Sequence, residues 1–186
     1  PTKNLGAFGD AGAIVTDNEE LSEKMRKLRN YGSIKKYYHE IEGVNSRLDE
    51  IQAALLSAKL KHMTELEDDR RRVAEKYLKE INNSLIELPE IKEGFKHVWH
   101  LFVVKCSERD ELQRYLSDNG IGTQIHYPVP PHLSGAYKRF GCKKGDFQIT
   151  EDYADSILSL PLYNGMKDEE ADYVIEKINM FKGVSV

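Results

Sequence analysis

The chain has 186 residues, 40% hydrophobic and 31% charged, which is enough apolar material for a folded core and excludes a disordered segment. Its 27 Lys and Arg against 31 Asp and Glu leave a net charge of −4, so the charge balance gives no reason to expect nucleic acid or an anionic membrane as the main partner. No apolar run approaches the roughly 20 residues that a bilayer span requires.

The opening, PTKNLGAFGDAGAIVTD, sets Lys3 ahead of Gly6, Gly9 and Gly12. It carries no signal-peptide pattern, no initiating Met and no capped first element, and it reads like the later part of a longer protein. GAIVTD (12–17) has the composition of a short buried strand. NEELSEKMRKLRNYG follows as a helix, with Asn18 as N-cap, Leu21, Met25 and Leu28 on one face and Gly32 as the stop. Residues 33–43 are polar and aromatic without period, hence a loop. NSRLDEIQAALLSAKLKHM is a strong helix: Ser46 and Asp49 have capping-box spacing, and Leu48, Ile51, Leu55 and Ala58 recur at helical intervals. TELEDDRRRVAEKYLKEIN continues as a more charged helix with a thin apolar stripe of Val73, Tyr77 and Ile81, and EDDRRR reads as a solvated face.

The change near 63–65 is the best internal boundary. Beyond it the order alternates. HVWHLFVVKC is a strand, ERDELQRYLSDNG a helix ending at Gly120, and IGTQIHYP a second strand. A short helical piece, a cysteine-bearing loop and FQITEDYADSILSLPL lead to KDEEADYVIEKINMF, an amphipathic helix. This succession describes a compact, layered α+β unit. Cys106 and Cys142 lack metal-ligand spacing and no histidine pattern suggests a metal site, so a reduced, cytoplasmic setting is the simplest expectation. His97 and His100 decorate the first strand.

Five stretches in order, PTKNLGAFGDAGAIVT, LRNYGS, GVNSRLDEIQAALL, VWHLFVV and GIGTQIHYPVPPH, resemble the DegT/StrS family of pyridoxal-phosphate-dependent nucleotide-sugar aminotransferases. The finer similarity is to members acting on 3-keto-6-deoxyhexoses. The resemblance implies an α/β fold: the C-terminal part of a fold-type I transferase, with residues 1–63 the tail of the large cofactor-binding domain and 64–186 the small α+β domain. It implies a homodimer with shared active sites, an amino-acid donor such as glutamate, and a nucleotide-linked keto sugar as acceptor.

Lys3 stands where the family forms its Schiff base with pyridoxal phosphate. That chemistry needs an amine that can lose its proton near neutrality, which arginine does not. Asn45 stands where the family contacts the cofactor phosphate of the neighbouring subunit, and a helix N-terminus suits an anion. Asn45 or Ser46 would equally serve as a plain cap. Arg47 would assist with the phosphate or hold the interface through a carboxylate. Tyr31, His126, Tyr127 and His132 are the candidate substrate contacts, each with an ordinary structural alternative.

The family's ring-nitrogen Asp, stacking aromatic and Ser/Thr phosphate cradle precede the lysine, and only two residues do so here, so these residues alone should not catalyse transamination. Two rivals stand beside this expectation. One is a sugar dehydratase on the same scaffold, which would carry His in place of Lys3. The other is a non-catalytic sugar-binding or regulatory module.

Overall fold

The structure, a computed structural model, describes residues 3–183. The chain divides into two compact units, Pro1–Thr64 and Glu65–Val186.

In the first unit, α1 (Glu19–Leu28) begins as its sequence dictates. The Asn18 side-chain oxygen accepts from the Leu21 N–H at 2.9 Å, and Glu19 and Glu20 open the first turn while Arg26 and Lys27 close the last. After α1 the chain doubles back on itself. Tyr31 N–H donates to Val44 O (3.0 Å), Val44 N–H to Leu28 O (2.8 Å) and Ser46 N–H to Arg29 O (2.9 Å). The tight passage at residue 32 demands glycine: φ is +74°, and a Cβ there would lie 1.6 Å from Ile41 O.

Two expectations fail in this unit. Residues 12–17 form no strand, and Ile14 and Val15 are 75% and 93% exposed. A strand exists only through its neighbours, and none of the described residues supplies one to this segment. The capping box at Ser46 is likewise absent. Residues 45–48 are held extended by the Asn30–Asn45 bridge and the Ser46–Arg29 bond, so α2 starts only at Glu50 and runs to Leu60, with Asp49 as N-cap and no side-chain cap bond.

The second unit owns the core. α3 (Met63–Glu80) buries Val73, Ala74 and Tyr77 completely, and Ile81 follows at 6% exposure, so the thin stripe suffices. β1 (Phe102–Lys105) and β2 (Ile157–Leu160) pair antiparallel, with Phe102 opposite Leu160 and Lys105 opposite Ile157. Leu158 and Leu160 join Phe102, Val104, Leu112 and Leu116 of α4 (Arg109–Asp118), and Ala171, Val174 and Ile178 of α6 (Asp168–Met180), in one cluster. All four β2 residues are buried. Its second face, Ile157 and Ser159, looks away from that cluster, towards α5 (Gln148–Ser156) and the 124–131 segment.

The second strand therefore lies elsewhere than expected. IGTQIHYP contributes only an isolated bridge, Gln124 to Ser159, and the strand is ILSL. The first strand is shorter than expected, so His97 and His100 lie outside it; His97 Nδ1 accepts from Trp99 N–H at 2.9 Å. EDDRRR is not merely solvated. Arg70 reaches Trp99 O (3.1 Å), His100 O and Leu162 O (both 3.3 Å) and Asn164 Oδ1 (3.0 Å), clamping the segments that enter β1 and leave β2. No helix among the described residues is long and apolar enough to cross a membrane.

Candidate active site

The first unit gathers Tyr31, Asn45 and Arg47. The doubling-back after α1 sets residue 30 beside residue 45, and Arg47 spans the pair: its Nε donates to Asn45 Oδ1 (3.1 Å) and its Nη1 to Asn30 Oδ1 (3.2 Å). The guanidinium lies 5.2 Å from the centre of the Tyr31 ring, within cation–π range. Tyr31 itself takes a left-handed φ of 56° and is held by its N–H bond to Val44 and by His39 Nδ1 at 2.8 Å from its carbonyl. Asn45 and Arg47 line a cavity of about 740 Å³ with residues 10–14, Arg26 in the last turn of α1 and its C-cap Arg29.

Lys3 is exposed, in a bend at the start of the described residues, and does not line that cavity. The glycine-studded segment behind it is fastened to α2 by Gln52, whose side chain accepts from Phe8 N–H (2.9 Å) and donates to Phe8 O (2.7 Å).

The second unit gathers the histidines. His126 Nδ1 lies 2.9 Å from the Ser159 hydroxyl on the outer face of β2, and the Tyr127 ring meets the His126 ring edge-on at 5.5 Å. Both line a cavity of about 280 Å³, walled otherwise by Val129, Pro130, Pro131 and the α5 residues Ile149, Thr150 and Tyr153. This is a mostly apolar recess with a few polar groups, the usual character of a small-molecule site.

His132 does not line the recess. Its Nε2 lies 2.9 Å from Glu151 Oε1, with both side chains nearly removed from solvent. Gly145 N–H, donating to both carboxylate oxygens, is the chief reason the Glu151 carboxyl is held below the usual carboxylate range; His132 and the Phe147 N–H add to this, and burial opposes it. Asn30, Ser159 and Glu151 escaped the sequence reading. Each acts through a residue 15 to 33 positions away, and no local pattern marks such a pairing.

The sequence profile of the DegT/DnrJ/EryC1/StrS aminotransferase family matches residues 1–179. The chain belongs to that family. It is 48% identical over 176 residues to the erythromycin biosynthesis sensory transduction protein EryC1 of Saccharopolyspora erythraea, covering 94% of this chain and 48% of that protein. It is 47% identical over 196 residues to the dTDP-3-amino-3,6-dideoxy-alpha-D-galactopyranose transaminase of Aneurinibacillus thermoaerophilus, covering 96% of this chain and 53% of that one. Among solved structures, S. venezuelae DesV in complex with ketimine intermediate superposes with a TM-score of 0.93 at 44% identity, over 96% of this chain and 48% of DesV. The chain thus has the α/β fold of DegT-type aminotransferases and spans about half the length of the curated relatives it matches.

Proposed function

We propose that this chain is the C-terminal part of a pyridoxal-phosphate-dependent aminotransferase that passes an amino group from an amino acid, glutamate by family resemblance, to a nucleotide-linked keto-deoxysugar. In this reading residues 1–63 end the large cofactor-binding domain and 64–186 form the small domain. The observation that carries it is the Asn30–Asn45–Arg47 cluster ahead of α2, in a chain whose family match runs from residue 1 to 179.

That cluster fits an anionic cofactor group. Arg47 spends Nε and Nη1 on two asparagine oxygens, which fixes the guanidinium plane. No side chain caps α2, so its first-turn N–H groups and its dipole favour negative charge nearby. Asn45 and Arg47 would hold the phosphate of the cofactor bound by the neighbouring subunit, and Lys3 would hold this subunit's own cofactor through Nζ. Pyridoxal phosphate, when bound, supplies the electron sink for the carbon that gains or loses nitrogen.

The remaining work belongs to this chain. Lys3 Nζ carries the proton to and from the substrate carbon, which a lysine amine can do and a guanidinium cannot. Tyr31, His126 and Tyr127 belong to the substrate side, and His132 serves it from behind the recess; the His126–Tyr127 recess receives part of the sugar nucleotide, and Ser159 keeps the His126 ring oriented. Two subunits share each active site in a homodimer, and the enzyme works in the cytoplasm.

A lysine at position 3 argues against the dehydratase reading, because that chemistry on this scaffold replaces it with histidine. The regulatory reading takes its support from the name borne by EryC1, a sensory transduction protein. One experiment separates the classes. The complete polypeptide containing this sequence, incubated with pyridoxal phosphate and reduced with borohydride, should carry the label on Lys3, and Lys3→Ala should abolish both the label and amination of the keto sugar. A label on another lysine, or turnover by Lys3→Ala, would overturn the proposal; cofactor-free binding of sugar nucleotides would favour the regulatory module.

A further inference from the structure

Glu151 has no part in the chemistry above, yet one carboxylate on α5 fastens two loops at once. It accepts from Gly145 N–H at 2.9 and 2.8 Å and from Phe147 N–H at 3.3 Å, and it meets His132 Nε2 at 2.9 Å. The side chains of His132 and Glu151 are only 10% and 11% exposed. The Phe147 ring lies 4.8 Å from the His132 ring, closing the cluster.

What distinguishes this cluster from an ordinary buried polar contact is the identity of what it anchors. Pro131, next to His132 in sequence, and Thr150, next to Glu151, with Ile149 before it, are walls of the recess that holds His126 and Tyr127. The cluster therefore stands directly behind the recess and ties its two sides together. No apolar side chain could replace it, because two backbone N–H groups and an imidazole would then lose their acceptor.

We infer that Glu151 is a positioning residue for the substrate recess: through His132 and the 141–147 loop it fixes the wall against which the sugar nucleotide is seated. It thereby sets affinity for that substrate and leaves proton transfer at Lys3 alone. The inference rests on the reading that the recess receives the sugar nucleotide. A wall displaced far enough to lose one polar contact weakens a seated ligand by about tenfold. Uniform binding lost in this way appears in KM and not in kcat.

The test uses the complete enzyme, with the nucleotide-linked keto sugar varied at saturating amino donor, and hydrogen exchange read on the same proteins. Glu151→Ala should raise KM about tenfold or more with kcat within about threefold of wild type and the cofactor absorbance unchanged. Exchange at the Gly145 and Phe147 amides should accelerate. Glu151→Gln keeps an acceptor oxygen for these donors and should recover most of the KM. Should the alanine variant fail to fold, Glu151→Asp, which withdraws the carboxylate by about one C–C bond of 1.5 Å, should show the same KM rise.

An unchanged KM in a folded variant, or a loss of activity that merely follows the loss of folded protein, assigns Glu151 to stability alone and overturns the inference. If wild type itself neither binds nor turns over the sugar nucleotide, the aminotransferase reading fails and takes the positioning role with it. The exchange data show in that case whether the cluster nonetheless holds the loops.

Discussion

Arg70 offers the sharpest test of how the second unit is held together. Its guanidinium donates to three backbone carbonyls and to Asn164, at 3.0 to 3.3 Å, and burial depresses its pKa from the ordinary guanidinium value. A hydrogen bond to a charged group contributes a net of about 1.5–3 kcal/mol, and carbonyls that regain water after truncation return part of the four-bond total. A net loss of about 3–5 kcal/mol for Arg70→Ala is the reasonable sum. For a unit of this size about 1 kcal/mol moves Tm by some 3–5 °C, so the melting transition should fall by about 10–20 °C. Arg70→Lys keeps the charge but not the fork and should lose roughly half as much. Arg114→Ala, an exposed pair with Glu111, is the control and should stay within about 0.5 kcal/mol. Thermal melts of the whole chain by circular dichroism read all three. An Arg70→Ala variant that melts with Arg114→Ala would show that the carbonyls are already solvated and that the clamp argument is wrong.

Tyr77→Phe removes a buried hydroxyl that donates to Pro161 O at 2.8 Å and should cost about 1–2 kcal/mol by urea denaturation. Burial above all, with Tyr163 nearby, raises the Tyr77 phenol above its ordinary 10.0. Its contribution is therefore complete below pH 10 and is lost as pH climbs toward the folded value; the phenylalanine variant should lack that part of the alkaline decline. Glu151 behaves in the opposite sense. Its folded pKa is depressed below the ordinary 4.5, so its contribution is present above that pH and is lost as pH falls below it, seen as faster exchange of the Gly145 amide once exchange rates are corrected for pH. Gly32→Ala forces a Cβ to 1.6 Å from Ile41 O at φ +74°, and should cost at least about 1–3 kcal/mol, read as lost protection of the Tyr31 and Val44 amides.

Helices were the legible part of this fold because each carries its own evidence. Asn18 caps α1 as its position foretells, and Val73 and Tyr77, with Ile81 just past the helix end, mark the buried face of α3 at helical spacing. Strands were less legible because their existence depends on remote backbone. GAIVT has the composition of a strand and remains unpaired, whereas ILSL, which follows a helix directly, pairs on both edges through Val103, Ser159 and Gln124. Charge was misread for the same reason. EDDRRR looks solvated until the carbonyls of residues 99, 100 and 162 arrive at Arg70. The candidate site divides likewise. Lys3, Asn45 and Arg47 are candidates through family resemblance alone. That Asn30 and Tyr31 share Arg47, or that His132 turns to Glu151, required the loops to close.

The apolar surface of the first unit leads to a last prediction. Ile14, Val15 and Ile51 are 75%, 93% and 77% exposed, and neither α1 nor α2 buries a single residue. Covering one such side chain completely is worth about 1.5–3 kcal/mol, so three together approach the free energy of a micromolar contact before the cost of association is subtracted. Exposed apolar side chains that gather into a patch, as opposed to ones scattered singly, mark sites of association. The chain as it stands should therefore self-associate with rising concentration, and should do so equally at low and high salt, since the attraction is apolar rather than ionic. Sedimentation velocity over a hundredfold concentration range reads this directly, and the triple variant Ile14→Ser, Val15→Ser, Ile51→Ser should shift the association midpoint upward by more than tenfold. A wild-type chain that stays monomeric throughout and binds no hydrophobic dye would mean that the first unit closes over these residues in solution, and the exposure on which the reasoning stands would be refuted.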